Sequence, residues 1–193
     1  IITGTSTGIG NAIAKNLLKQ NVTVIGISRK HTIKHKNYFA IFFDLNDVRN
    51  IKKILDDINF NHKKIDAIIS SAGYGVFDNT ENLKEKEVID FFNVNLLAHI
   101  LISKVLVSHF KKKKTGHFIF IGSEASLKGS QKSTLYSAAK HGLLGFVKSF
   151  REECSKSEIR VTIINPGMVN SSFFKKLKFS PGKSIKNSIK LAD

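Results

Sequence analysis

Residues 1–10 read IITGTSTGIG, and residues 11–20 continue NAIAKNLLKQ. A short β-branched run enters a turn that carries Gly4, Gly8 and Gly10, and a helix-compatible run leaves it. Glycine permits positive φ and lets a backbone approach another group without interference from a Cβ. The helix that follows presents unpaired N–H groups and the positive end of its dipole, a setting suited to an anion. Ser6 and Thr7 add hydroxyl donors. The spacing is G-x-x-x-G-x-G, which is neither the G-x-G-x-x-G fingerprint nor a P-loop, since no Gly-Lys-Ser/Thr follows. Taken alone, the turn fits either a dinucleotide phosphate or a tight strand–helix connection.

Outward from that turn, β-branched runs alternate with longer helical ones. VTVIGIS (22–28), YFAIFF (38–43), DAIIS (66–70), HFIFIGS (117–123) and IRVTIIN (159–165) read as strands. Helical stretches lie near 9–20, 47–59, 83–113 and 134–155. Continuous apolar strands joined by helices imply a parallel sheet covered on both faces. The expected fold is therefore an α/β, doubly wound parallel sheet in three layers. Two apolar residues before the first glycine make a short opening strand, and the last thirty residues show no final strand, so the chain reads as trimmed at both ends.

The 193 residues suit one domain, and 41% hydrophobic with 24% charged residues is ordinary for a globular chain. No uninterrupted apolar run approaches the ~18 residues of a membrane span. No charged leader with a cleavage site is visible. Cys154 is the lone cysteine, which points to a reduced, cytoplasmic setting. The net charge of +16 raises nucleic acid as a partner, but only Arg29, Arg49, Arg151 and Arg160 are arginines. The lysines are spread along the chain among Ile, Asn and Phe, a compositional bias with no nucleic acid expected. KKKK at 111–114 sits where cations complement a helix C-terminus.

The second strand ends Ser28-Arg29, with no acid before Asp44. An acid near this point holds a ribose 2′-hydroxyl, whereas an arginine accommodates a 2′-phosphate. The cofactor expected is NADP(H), with NAD(H) possible; the alternative makes Arg29 one more solvated cation. Further on, YSAAK places Tyr136 and Lys140 one helical turn apart on one face. An ammonium beside a phenol favours the phenolate, so the pair reads either as a tuned acid/base, with the Tyr136 pKa lowered, or as a Tyr and a Lys that share a surface helix by chance.

These pieces together resemble the short-chain dehydrogenase/reductase family over nearly the whole chain. TGTSTGIG is similar to its T-G-x-x-x-G-x-G turn, FFDLND to its motif after the third strand, and SSAG (70–73) to its N-N-A-G. NVNLL carries the family's helix asparagine at Asn95, IGSEAS its serine at Ser123, and YSAAK its Y-x-x-x-K motif; NPGMVNS resembles N-P-G-x-x-x-T. The resemblance implies catalytic roles for Asn95, Ser123, Tyr136 and Lys140. It implies cofactor contacts from Gly4, Ser6, Thr7, Gly8, Ile9, Gly10, Arg29, Asp44, Leu45, Ser71, Ala72, Gly73, Tyr136, Lys140, Pro166, Gly167, Val169 and Ser171. Residues 168–193 would belong to a substrate-covering segment within the single domain. Ser70 and Ser71 replace two asparagines, and Ser171 replaces a threonine while keeping its hydroxyl.

The activity so implied is hydride transfer between NADP(H) and a small-molecule carbonyl or secondary alcohol, in a homodimer or homotetramer. A rival reading is a non-catalytic relative that binds or regulates, and a second is a sugar-nucleotide epimerase, whose T-G-x-x-G-x-x-G turn is absent. No metal is expected: His31 and His35 are the single i, i+4 histidine pair and lack neighbouring Cys or acid ligands. Asp56, Asp57, Glu152 and Glu153 read as solvated surface, and Phe91, Phe92, Phe146 and Phe150 as packing. FFKKLKF (173–179) fits either a substrate lid or a surface helix.

Overall fold

The computed structural model describes residues 1–62, 64–169 and 189–191. Six strands, β1 (Ile2–Thr3), β2 (Val24–Ser28), β3 (Tyr38–Phe42), β4 (Ala67–Ser70), β5 (Gly116–Ile121) and β6 (Ile159–Ile164), form one sheet. Their order is β3-β2-β1-β4-β5-β6 and every pairing is parallel. The strand order reverses on either side of β1, so the carboxyl ends of β1 and β4 diverge there and leave a crevice. Ligands of open α/β sheets bind at such a point.

Among the described residues there are five α-helices, α1 (Gly8–Lys19), α2 (Ile51–Asn61), α3 (Glu85–Phe92), α4 (Ala98–Lys113) and α5 (Thr134–Cys154), of which α3 packs on α5 and the others on the sheet. Successive strand residues face opposite ways, and the two faces bury different sets. Ile2, Val24, Ile69 and Ile121 pack with Ala14 and Leu18 of α1. Ile25, Ile27, Ile68, Phe118 and Phe120 pack with Leu55, Ile102, Leu106, Leu143 and Val147 from α2, α4 and α5. The result is the expected three-layer, Rossmann-like arrangement. Phe146 and Phe150 stack in this core, as their spacing suggested. Lys114 ends α4 in the left-handed conformation (φ 58°), directly after the lysines that face its C-terminal dipole.

As the sequence pattern has it, no helix joins β2 to β3, which are connected by the loop at residues 29–37. Two details differ from the expected pattern. β3 is the edge strand, and its apolar run is not buried on both faces: Phe42 is 70% and Phe39 41% exposed. The helical stretch expected over 83–113 is continuous, Glu85–Lys113, but it carries a π turn at Asn93–Leu97 between α3 and α4 that was not expected. Together, Glu85–Lys113 is long and apolar enough by composition to cross a membrane. Its inner side nevertheless buries Ala98, Ile102, Leu106 and Phe110 against the sheet.

Candidate active site

The glycine turn is shaped by close backbone approach. Gly4 has φ 76° and Gly8 φ 63°, conformations that other L-residues adopt only under strain. A Cβ on Gly4 would lie 2.9 Å from Cα of Ala72, and one on Gly10 would lie 2.5 Å from the Gly4 carbonyl oxygen. The turn is locked to the next loop by Thr3, whose Oγ1 accepts from the N–H groups of Ser71 and Ala72, each at 3.0 Å. Asn11 Nδ2 donates to the Thr5 carbonyl at 2.8 Å and closes the turn from its helical side. Thr7, at the N-cap, makes no side-chain capping bond. Ser6, Thr7, Gly8 and Ile9 therefore line a rigid backbone cradle between β1 and α1, and Gly10 is buried beneath it.

On one flank, at the end of β2, Arg29 Nη1 stands 3.8 Å from Asp44 Oδ2, with both side chains largely exposed. Leu45 is buried beside them. The structure thus brings together two residues assigned separate cofactor contacts. Behind them runs a chain of polar contacts that sequence reading missed: Thr5 Oγ1 to Tyr38 Oη at 2.9 Å, and Tyr38 Oη to His31 Nδ1 at 2.6 Å. Gly26 makes room for it, since a Cβ there would lie 2.2 Å from Tyr38 Oη.

On the other flank, four polar side chains converge. The Asn95 side chain is fully buried in the π turn, donates to the Phe91 carbonyl at 3.0 Å and accepts from the Tyr74 N–H at 3.2 Å. Gly73 lies against it: a Cβ there would be 2.8 Å from Asn95 Oδ1 and 4.0 Å from Lys140 Nζ. Lys140, from α5, donates to the Ile121 carbonyl at 3.1 Å, and its Nζ lies 5.8 Å from the centre of the Tyr136 ring. Tyr136 stands by the Ser123 side chain, which acts on its phenol, and packs against Phe77 and Phe91. Ser123, at the end of β5, is fixed by its own N–H, which donates to Asn165 Oδ1 at 3.2 Å, and by the Ala125 N–H, which donates to Ser123 Oγ at 3.2 Å.

The electrostatics correct one expectation. Burial pushes the Tyr136 phenol above its ordinary value, and the Ser123 side chain opposes this only in part; Lys140 does not pull it down. The ammonium is itself weakened, because burial lowers Lys140 from 10.5 to about 8. Desolvation disfavours a charge on either group. At neutral pH the site holds a protonated phenol beside a strained ammonium, which is the charge state of a proton donor.

A family description, short chain dehydrogenase, matches residues 1–180. The chain belongs to that family. It is 33% identical over 183 residues to the 3-oxoacyl-[acyl-carrier-protein] reductase of Buchnera aphidicola subsp. Acyrthosiphon pisum, covering 91% of this chain and 75% of that one. The corresponding reductase of Vibrio harveyi is 30% identical over 184 residues, at 92% and 75% coverage. Among solved structures, a 4-hydroxyisoleucine dehydrogenase complexed with NADH and succinate superposes with a TM-score of 0.82 at 26% identity, covering 87% of this chain and 79% of that chain. The 3-ketoacyl-(acyl-carrier-protein) reductase of Brucella melitensis, complexed with NADH, has a TM-score of 0.89 at 19% identity and coverage of 100% and 85%, a likeness of fold alone.

Within this short-chain dehydrogenase, Pro166 and Gly167 follow β6 and meet the Ser123 turn, where the Pro166 carbonyl accepts from the Glu124 N–H at 3.1 Å, while Val169 bridges Ile189. Ser171 and residues 173–179 lie outside the described residues. Two neighbours of the site carried no sequence signal. Glu124 rests against Gly167, with Oε2 3.2 Å from where a Cβ would be. His99, one turn after Asn95, is 1% exposed; neither ring nitrogen has a hydrogen-bond partner, although the Ala72 carbonyl stands near. Burial and the charge of Lys140 hold this imidazole neutral, at about 3. A cavity of about 510 Å³ lies at the opposite end of the strands, lined by Ile2, Val24, Ile65 and Ile69, and contains none of these groups.

Proposed function

We propose that this protein transfers hydride between NADP(H) and a carbonyl or secondary-alcohol substrate, with Tyr136 as the general acid and base. The observation that carries the reading is the convergence of Ser123, Tyr136 and the buried Lys140, whose Nζ lies 5.8 Å from the centre of the Tyr136 ring. The cradle fits a dinucleotide: positive-φ glycines, backbone positions that a Cβ would fill, and the exposed guanidinium of Arg29 beyond them. Gly4, Ser6, Thr7, Gly8, Ile9 and Gly10 would hold its phosphates, Arg29 its 2′-phosphate, and Asp44 and Leu45 its adenine end. Ser71, Ala72, Gly73, Pro166, Gly167, Val169 and Ser171 would flank its nicotinamide half. When bound, the cofactor supplies or accepts the hydride.

The protein supplies the proton. Ser123 Oγ donates a hydrogen bond to the substrate oxygen and orients the carbonyl. Tyr136, kept protonated by burial, gives its proton to that oxygen as negative charge develops there, and takes it back in the oxidative direction. Lys140 stabilises the phenolate left behind, through a charge that costs least when the phenolate is present. Asn95, whose Oδ1 accepts from the Tyr74 N–H and whose Nδ2 donates to the Phe91 carbonyl, holds the π turn open for a water that returns protons to Lys140 from solvent.

The first substrates to test are 3-oxoacyl thioesters, since the curated relatives carry that activity in their names, followed by a panel of simple ketones. NADPH oxidation followed at its absorbance band tests the reading; absence of consumption with every carbonyl compound overturns it. Assembly as a homodimer or homotetramer is part of the same proposal and is supported by the exposed apolar side chains Ile89 (53%) and Leu97 (41%) along the helical surface.

A further inference from the structure

Glu124 directly follows Ser123 and opens the short turn Glu124–Ser126. Its position is fixed. The Glu124 N–H is bonded to the Pro166 carbonyl at 3.1 Å, and Ser126 Oγ donates to the Ser123 carbonyl at 2.6 Å. Asn165 Oδ1 also accepts from the Ser123 N–H, which ties the turn to the segment that enters Pro166 and Gly167. The carboxylate lies over Gly167, with Oε2 3.2 Å and Oε1 3.8 Å from the place of a missing Cβ. A larger residue at 167 would displace it.

Acids are outnumbered 31 to 15 by Lys and Arg in the sequence. Asp44, Asp56, Asp66, Asp90 and Glu153 pair with a cation among the described residues, whereas Glu124, like Asp57 and Glu152, makes no ion pair there; what sets it apart is its place beside Ser123. Its carboxylate is exposed between Ser123 and the Pro166–Gly167 turn, one residue from the hydroxyl proposed to hold the substrate. The surplus of lysines elsewhere is screened over a Debye length of about 8 Å at physiological salt. A charge in contact range is not.

We propose that Glu124 is a specificity-determining residue, which makes the site select carbonyl substrates carrying a cationic group near the reacting carbon and reject anionic ones. The inference rests on the proposed function and deepens it. An opposite charge within about 4–6 Å is the range in which such a carboxylate acts strongly. Neutral substrates would be accepted between the two extremes.

The test uses three methyl ketones of one chain length that end in trimethylammonium, hydroxyl or carboxylate, with NADPH and the full chain. The expected result is a kcat/KM for the cationic ketone at least about tenfold above that for the anionic one. Glu124→Gln should bring the two within about threefold of each other, and Glu124→Lys should invert their order. Because the readout is a ratio, a general loss of activity in a variant does not mimic it. Turnover by the wild type with a ratio near one, or a ratio that both variants leave unchanged, overturns the assignment of Glu124 alone. No turnover of any of the three ketones, nor of 3-oxoacyl thioesters, overturns the proposed function together with it.

Discussion

Lys140 Nζ lies 5.8 Å from the centre of the Tyr136 ring and is bonded to the Ile121 carbonyl, so the cation flanks the phenol. The helical turn between them puts both groups on one face of α5, yet burial raises the phenol and lowers the ammonium. The pair is poised to act once negative charge forms on the tyrosine, and is costly to hold before then.

That cost is measurable as pH-dependent stability. Lys140 titrates at about 8 in the fold against 10.5 when unfolded, so the unfolded chain binds more protons between those values. Stability must therefore rise with pH across the window from about 8 to about 10.5, and this penalty is fully present below it. The gap corresponds to about 3 kcal/mol at 1.36 kcal/mol per unit. Lys140→Met is expected to be at least as stable as the wild type at pH 7 while losing turnover. Urea unfolding at pH 7 and pH 10 checks it: the difference between variant and wild type should shrink at the higher pH.

Arg29 should read the 2′-phosphate. Replacing it with aspartate would set two carboxylates, residue 29 and Asp44, where one ion pair stands at 3.8 Å. The KM for NADPH should rise by about tenfold or more, on the scale of a lost charge-assisted bond, while that for NADH changes far less. An unchanged NADPH-to-NADH ratio would remove Arg29 from that role.

The glycines separate by what surrounds them. Gly10→Ala puts a Cβ 2.5 Å from the Gly4 carbonyl oxygen and should destabilise by about 2 kcal/mol or more, with weakened NADPH binding. Gly145, within α5, has nothing within 4 Å of its added Cβ. Gly145→Ala should stabilise by about 0.5–1 kcal/mol through helix propensity. Thermal melts of the two variants give opposite signs if the turn is built by close approach.

Much of this was legible in the residues, for physical reasons that differ by element. Strands and helices announce themselves by period, which placed four helical stretches and six strands within a few residues. Spacing along α5 set Tyr136 and Lys140 on one face. Other features depend on partners remote in sequence. The π turn that buries Asn95 needs its bonds to Phe91 and Tyr74, and nothing in NVNLL announces it. β3 reads as a buried strand because Phe and Ile fill it, yet only its place at the sheet edge decides its exposure. The Tyr38–His31–Thr5 contacts join three elements that the sequence separates. The direction of the Tyr136 shift is likewise set by burial under Phe77 and Phe91, a tertiary fact that outweighs the local lysine.

The central claim is that the Tyr136 hydroxyl carries the proton, and Tyr136→Phe removes that oxygen while keeping the ring that packs on Phe77 and Phe91. Single-turnover reduction of a carbonyl substrate, measured beside NADPH affinity, should show a rate lower by about 10³-fold or more with a dissociation constant within about threefold of the wild type. Turnover at the wild-type rate in that variant would contradict the account.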